Sequence, residues 1–489
     1  MSAGAAARGE RTGLALLVIV TGVLITAVDT TIVVLALPKI QLALHVGLSG
    51  VVWVIISYLL VITVLATQVG RLGDMFGRVR MYEAGFAVFL VGSLLCALAT
   101  SEATIIAYRV LQGVGGALVT ANSGAVIADI FPPDRRGRAY GFNAVGWNVG
   151  AILGILLGGT ITTYVSWRWI FWINVPIGVA ALSVALRVLH ERAERQSRRL
   201  DVAGMLTLSL GLFALLWAVT RLATHPVDAT LLGYLLGGLA LLVAFVLIER
   251  RQREPMLDLS LFRVPTMTPT LLAATLQSLA NFAVLFLVIM YLQGVRGLSP
   301  LHASLLLVPG YLVGGIVGPL SGRLADRVGP VWPATVGLAV QVVALAVYAS
   351  LGVDTPLAVI VVASIVNGIG SGGFFPANNS AVMKAAPGRA FGIASGMLRT
   401  FANVGMVFSF SVAILIAAHS ISRGLAFAIF VGTVSLSHGL ARAFTTGIHA
   451  AFYASMTFMA LAAVLSALRG RRGRGVARRR PATAETGPP

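Results

Sequence analysis

The chain has 489 residues, of which 57% are hydrophobic and 11% charged, and its mean hydropathy is +0.91. Soluble domains carry about 25% charged residues, so an ordinary soluble domain is excluded and a polytopic membrane protein is indicated. The net charge of +19 does not imply a nucleic-acid partner, because the arginines are spread over short inter-helix loops and the C-terminal end rather than gathered in one basic domain.

In chain order, a short tail (1–12) with Arg8 and Arg11 precedes the apolar run 13–37. That run is too long for a signal h-region and shows no cleavage site, so it reads as the first retained span. A spanning helix needs about 20 apolar residues. Further runs lie near 50–70, 81–100, 104–129, 140–163, 169–188, 202–221, 230–248, 266–292, 302–321, 332–351, 355–381, 391–418 and 448–468, fourteen in all. Cys96, the single cysteine, lies in the third and can form no intrachain disulfide. The region 422–447 is interrupted by Arg423, His438 and Arg442 and reads as a long loop with an amphipathic or hairpin segment, not a fifteenth span. The basic end 470–489 reads as a disordered tail beside anionic lipid.

With the N-terminus inside, most of the 36 Lys and Arg fall in the cytoplasmic segments. The external loops hold only Lys39, Arg168, Arg221, Arg296, Arg423 and Arg442, while Arg109 and Arg399 lie within spans. This alternation places both termini in the cytoplasm.

The string "GRLGDMFGR" (70–78), after the second span, recurs as "GRLADRVGP" (322–330) after the tenth. "QGVGGALVTANSGAV" (112–126) recurs as "NGIGSGGFFPANNSAV" (367–382), which sets Asn122 against Asn378, and "GRAYG" (137–141) recurs as "GRAFG" (388–392). Eight spans separate the two strings, so both copies face the same side. The expected fold is an all-α membrane protein of two parallel six-helix bundles with two inserted helices. Its units are 13–188, the linkers and inserted pair 189–254, and 255–469 with a long external loop 419–447.

The chain resembles the major facilitator superfamily, in particular the fourteen-span drug:proton antiporters. The resemblance rests on "GRLGDMFGR", on "RVLQGVGGA" (109–117), on "VDTTIVVLALP" (28–38), and on "GAILGILLGG" (150–159) with "WRWIFWINVPIG" (167–178). It implies a secondary transporter without cofactors, driven by a gradient, that exports lipophilic or amphipathic organic compounds across the cytoplasmic membrane as a monomer.

Asp29 is the one acid well inside a span. A carboxyl that takes up a proton on one side and releases it on the other couples a gradient to transport; alternatively, Asp29 is a hydrogen-bonded acid beside Thr30 and Thr31. Arg109 must face a partner or a wet cavity. It reads either as a structural ion pair or, as the resemblance implies, as part of proton coupling. Asp129 reads as a partner for loop arginines such as Arg80, Arg135 or Arg136. In the opening string, Gly70, Gly73 and Gly77 permit a sharp turn. Asp74, Arg78 and the second copy's Asp326 then read either as a latch between the halves or as a plain topological anchor.

Gly146, Gly150, Gly154 and Gly158 form a stripe on the fifth span, suited to close helix packing. With Gly141 and Gly159 the stripe matches the antiporter signature that the resemblance implies, except that Ile155 replaces the usual proline. Asn122, Asn148, Gln277, Asn281, Asn378, Arg399 and Asn403 are candidates for a substrate cavity. No zincin, nucleophile-elbow or P-loop motif occurs, so an enzyme is not expected. A dedicated exporter of one metabolite or self-made antibiotic, and a transporter-like sensor or scaffold, remain as alternative functions.

Overall fold

The computed structural model describes residues 2–191, 201–224, 227–252, 255, 257, 259–385, 391–419 and 438–477. These residues form long helices and no strand. The first bundle comprises α1 (Ser2–Leu44), α2 (Leu48–Phe76), α3 (Arg78–Ala97), α4 (Glu102–Ile130), α5 (Pro133–Tyr164) and α6 (Trp169–Val188). The inserted pair is α7 (Val202–Thr224) and α8 (Ala229–Arg251). The second bundle comprises α9 (Met267–Met290), α10 (Pro300–Val328), α11 (Val331–Ala349), α12 (Leu357–Ala385), α13 (Phe391–His419) and α14 (His438–Ala477).

Among the described residues, 12 helices are long and apolar enough to cross a membrane. The number is 13 if α2, bent by 57° between Gly50–Ala66 and Gln68–Phe76, is one span. A fourteen-span reading also takes α13, a further helix of 29 residues, as a span.

Several helix starts follow from local chemistry. The Ser101 side chain accepts the Thr104 N–H in a capping box at α4. Ser299 caps α10 with Pro300 at its first turn, and Asp228 caps α8 through the Leu231 N–H.

Helices run past three of the expected boundaries, while the stretches apolar enough to cross a membrane there are Thr12–Leu44 and Thr445–Arg469. Helix α1 begins at Ser2 rather than after residue 12, and α14 continues to Ala477 rather than ending before 470. His438 opens α14 within the expected loop 419–447, ahead of the membrane-crossing stretch Thr445–Arg469; residues 420–437 and 478–489 lie outside the described residues. The polar and basic residues at these ends fit a helix extending past the hydrocarbon, which a hydropathy run cannot register.

The repeated strings are also corrected. Gly70 and Gly73 are not turn residues; α2 runs through them to Phe76. Only Gly77 turns, at φ 110°, and its counterpart Gly329 does the same at φ 90°. Both values suit glycine because it lacks a Cβ. Gly73 instead gives room, since a Cβ there would meet Asn122 Oδ1 at 2.0 Å.

Within the first half α1 packs on α5 and α3 on α4; within the second, α9 packs on α13 and α11 on α12. The internal repeat relates each of these pairs to the other. The halves meet along two seams, α5 with α10 and α2 with α13. The repeat sets α2 against α10 and α5 against α13, so it exchanges one seam for the other. The inserted α7 packs on α8, α2 and α13 and so lies along only one seam. Trp53 of α2, with Phe213 and Trp217 of α7, forms the aromatic contact there, and Thr220 Oγ1 lies 3.1 Å from Ser411 Oγ of α13.

Candidate functional site

The most enclosed charged group lies inside the first bundle. Asp29 and Arg109 are 0% and 1% exposed and pair at 2.5 Å. Helix α1 supplies the acid and α4 the cation. The Arg109 Nη1 also donates to Gln112 Oε1 at 2.7 Å, and its Nε donates to the Val54 carbonyl of α2 at 2.9 Å. The guanidinium lies 4.2 Å from the Tyr58 ring centroid, a cation–π geometry.

Gln112 joins the pair to the rest of the bundle. Its Nε2 donates to Asp29 Oδ1 at 2.8 Å and to Ser93 Oγ at 3.1 Å. Asn174 of α6 donates to Ser93 Oγ at 3.0 Å and to Asp29 Oδ1 at 3.5 Å. The Ser93 hydroxyl donates to the Phe171 carbonyl at 3.0 Å. Five helices of one bundle therefore join one network around the Asp29 carboxylate, which itself is bonded by Arg109, Gln112 and Asn174. A buried ion pair persists only when its remaining donors and acceptors are satisfied; Gln112, Asn174 and the Val54 carbonyl do this here, and Ser93 anchors Gln112 and Asn174. Asp29 is thus held by Arg109, while Thr31, expected as its neighbour, donates along its own helix and to the Ala151 carbonyl.

Gln112 stands three residues after Arg109, on the same helix face, and that spacing was the signal available for it. Ser93 and Asn174 were visible only as small polar residues in apolar runs.

The second half has an uncharged counterpart. Gln277 and Asn281 of α9, Gln341 of α11 and Asn367 of α12 form an amide network. The helices involved are the repeat partners of α1, α3 and α4, and Asn367 is aligned with Gln112. Gln277 and Asn281, expected to face a cavity, are thus tied into their own bundle.

The other expected cavity residues divide. Asn122 is buried and donates to Leu118 of its own helix. Asn378 is buried and accepts from Arg469 at 2.7 Å. Arg469, the last residue of the expected second unit, is 1% exposed at the end of the last span. Asn403 is half-buried, while Asn148 and Arg399 are exposed. Arg399 of α13 donates to the Thr120 carbonyl of α4 at 3.2 Å, a contact between the two halves.

At the end of the molecule that carries the repeated strings, Arg78 pairs with Asp74 at 2.8 Å and with Asp129 at 2.6 Å. Glu191, just after α6, accepts the backbone N–H groups of Arg78 and Val79, both at 3.1 Å. Glu191 thereby caps α3, the role of an anion at a helix N-terminus. These bonds lie within the first half and the segment leaving it. Arg71 reaches beyond that half and donates to the Pro255 carbonyl ahead of α9. In the second copy Lys384 donates to the Ala325 carbonyl near Asp326.

The glycine stripe of α5 faces α1 in the same half. A Cβ at Gly146, Gly150, Gly154 or Gly158 would meet Val20, Leu24, Thr31 with Val28, or Ile32, all within 3 Å. Gly159 is the stripe residue that meets the other half, at Ser304, Pro300 and Leu301 of α10, and Gly141 has open space. Ile155 is buried and α5 runs unbroken past it. A second glycine contact, Gly310 and Gly314 of α10 against Gly368 and Gly372 of α12, binds the second half.

Two repeat-related bundles meeting at two exchangeable seams, with an enclosed ion pair in one of them, define a membrane transporter of the two-bundle type. A model of the Major Facilitator Superfamily matches residues 19–410. The chain belongs to that superfamily.

Among curated relatives, the tetracenomycin C resistance and export protein of Streptomyces glaucescens is 33% identical over 80% of this chain and 73% of its own length. The drug efflux pump JefA of Mycobacterium tuberculosis (strain H37Rv) is 33% identical over 79% of this chain and 77% of its own. The riboflavin transporter RibZ of Clostridioides difficile is 30% identical over 80% and 84%. Among solved structures, an inward-facing bacterial homologue of the human lysosomal transporter Spinster superposes with a TM-score of 0.65 at 16% identity, covering 94% of this chain and 97% of that one. That likeness speaks for the fold alone.

Proposed function

We propose that the protein is a fourteen-span, proton-coupled exporter of lipophilic or amphipathic organic compounds. It works as a monomer in the cytoplasmic membrane with both termini inside. The observation that carries this reading is the Asp29–Arg109 pair, the one fully enclosed ion pair among the described residues, held inside a bundle that must move against its partner. A proton on Asp29 would cancel the charge that Arg109 answers, and so would change the energy of burying both. Alternating access by motion about the α5–α10 and α2–α13 seams would then place that event on alternate sides. The efflux relatives support export as the direction.

The test is uptake into inverted vesicles with an imposed pH gradient, across a panel of dyes and antibiotics. Several unrelated compounds should accumulate, and collapse of the gradient should stop them. If no compound moves, or if movement ignores the gradient, the proposal fails.

A second reading, a dedicated exporter of one compound, is favoured by relatives described for tetracenomycin C and for riboflavin. It predicts that a single member of such a panel moves.

A further inference from the structure

Helix α10 has three distinct faces. Gly310, Gly314 and Ser321 meet α12, and Ser304 meets Gly159 of α5. At about 100° per residue, a stripe of Leu305, Leu312, Ile316 and Leu320 lies about 120° from each of these contacts. All four side chains are half exposed or more, Ile316 at 67%. On a spanning helix, an open apolar face turned away from both neighbours faces lipid. Helix α11 is built alike. Gly337 and Gln341 meet Gly370 of α12, while Trp332, Val336, Ala339 and Val343 form an exposed stripe at helical spacing.

Both stripes end at the turn of the second repeated string. Arg323 and Arg327 continue the apolar face of α10, one turn apart, and both are exposed. The chain turns at Gly329, and Trp332, 66% exposed, heads the stripe of α11. Arginine and tryptophan at the end of an apolar face mark a membrane–water boundary. Among the described residues, neither arginine makes a hydrogen bond or ion pair, so the adjacent Asp326 answers neither. The internal repeat supplies the contrast. In the first copy Arg71 stands where Arg323 does and donates to the Pro255 carbonyl, Met75 stands for Arg327, and Glu191 accepts the N–H groups of Arg78 and Val79. Protein therefore covers that corner and sets a carboxylate against it. The second copy keeps the turn and gains an arginine, and no described protein group bonds its arginine pair.

We infer that this corner binds the headgroup of an anionic phospholipid. The phosphate accepts from the Arg323 and Arg327 guanidinium groups, whose fork suits phosphate oxygens. The acyl chains lie along the open stripes of α10 and α11, and Trp332 sits at headgroup level. A zwitterionic lipid also carries a phosphate, but its own ammonium offsets that charge, so the pair selects lipids of net negative charge. The site uses no residue of the Asp29 network and does not rest on the proton-coupled reading.

The experiment uses the full chain in phosphatidylcholine nanodiscs with a trace of photoreactive lipid. Two probes share one acyl chain with a diazirine close to the ester and carry either a phosphatidylglycerol or a phosphatidylcholine headgroup. After illumination, adducts are mapped by peptide mass spectrometry. Each basic side chain at an anionic surface gives about a fivefold preference, so the glycerol lipid should label the 320–336 segment about 25-fold more than the choline lipid. Replacing both arginines, Arg323→Gln with Arg327→Gln, should bring the two probes level there. Both side chains are exposed, so the double variant should keep its fold and its labelling elsewhere. Asp326→Asn should raise the preference, and Arg71→Gln, in the covered corner, should leave it unchanged.

Equal labelling by the two probes would mean a face wetted by any lipid, and would overturn the assignment. So would a preference that survives the double variant, or the same enrichment at every helix end on that side, which would be a diffuse effect of surface charge. Loss of the preference in millimolar inorganic phosphate would mean a site for free phosphate and would also overturn it. Labelling needs neither a pH gradient nor a substrate, so its outcome is separate from that of the vesicle transport test.

Discussion

Replacing either member of the buried pair should damage the protein more than replacing both. Asp29→Asn keeps an oxygen for the Gln112 amide but leaves the Arg109 charge enclosed without its counter-ion; Arg109→Gln does the reverse. With charge centres about 4 Å apart and an effective dielectric of about 20, the attraction lost is about 4 kcal/mol. That agrees with the roughly 3–5 kcal/mol seen when one partner of a buried pair is removed. Against a total stability of about 5–15 kcal/mol, each single change is severe. The double variant restores neutrality with amides that can still bond to Gln112 and Asn174, so it should recover most of the loss. The assay is the fraction of full-length protein that survives heating in detergent, read by size-exclusion chromatography for the wild type, both singles and the double. The expected order is wild type, then double, then the two singles. A double variant as fragile as the summed singles would indicate additivity and would refute the view of Asp29 and Arg109 as one energetic unit. All three variants should also lose gradient-driven transport.

Further expectations concern packing, turns and topology. Gly154→Leu should sharply reduce folded yield, because a side chain there meets the Val28 carbonyl at 2.6 Å, whereas Gly141→Ala, in open space, should leave yield unchanged; fluorescence-detected chromatography measures both. Gly77→Ala should cost about 1–3 kcal/mol through its φ of 110°, with added crowding of Glu191 Oε2 at 2.4 Å, and should lower thermal survival. Glu191→Ala should also weaken that corner by removing the cap of α3, and Glu191→Gln should recover part of the loss. In a Cys96→Ser background, Arg327→Cys should react with a membrane-impermeant maleimide only from the cytoplasmic side, and Asp354→Cys only from outside. The opposite pattern would overturn the proposed orientation.

Much of the architecture was legible in the sequence, because burial in lipid leaves a coarse signal. A spanning helix needs about 20 apolar residues whatever it packs against, and basic residues alternate between loops by their effect on insertion. The repeated strings reported two parallel halves, since each copy reflects the same local turn, now seen as Gly77 and Gly329 at positive φ. Asp29 and Arg109 were also conspicuous, because charge in hydrocarbon is rare enough to mark itself.

Which groups meet was not legible. Gly70 and Gly73 suggest a loop by composition, yet α2 continues through them, because Gly73 is there to admit Asn122. The stripe on α5 identified a close contact but not its partner, and tertiary packing gives four of its glycines to α1 and only Gly159 to α10. Arg469 looked like one more basic residue just past an apolar run until α14 carried it against Asn378. The union of Asp29 with Arg109, Gln112 and Asn174 brings together residues up to 145 positions apart. Hydropathy and spacing act along one helix, so the sequence by itself determined the helices, their order and the doubling of the fold. Partner choice depends on the rotation and crossing of neighbouring helices, and only the tertiary structure decided that.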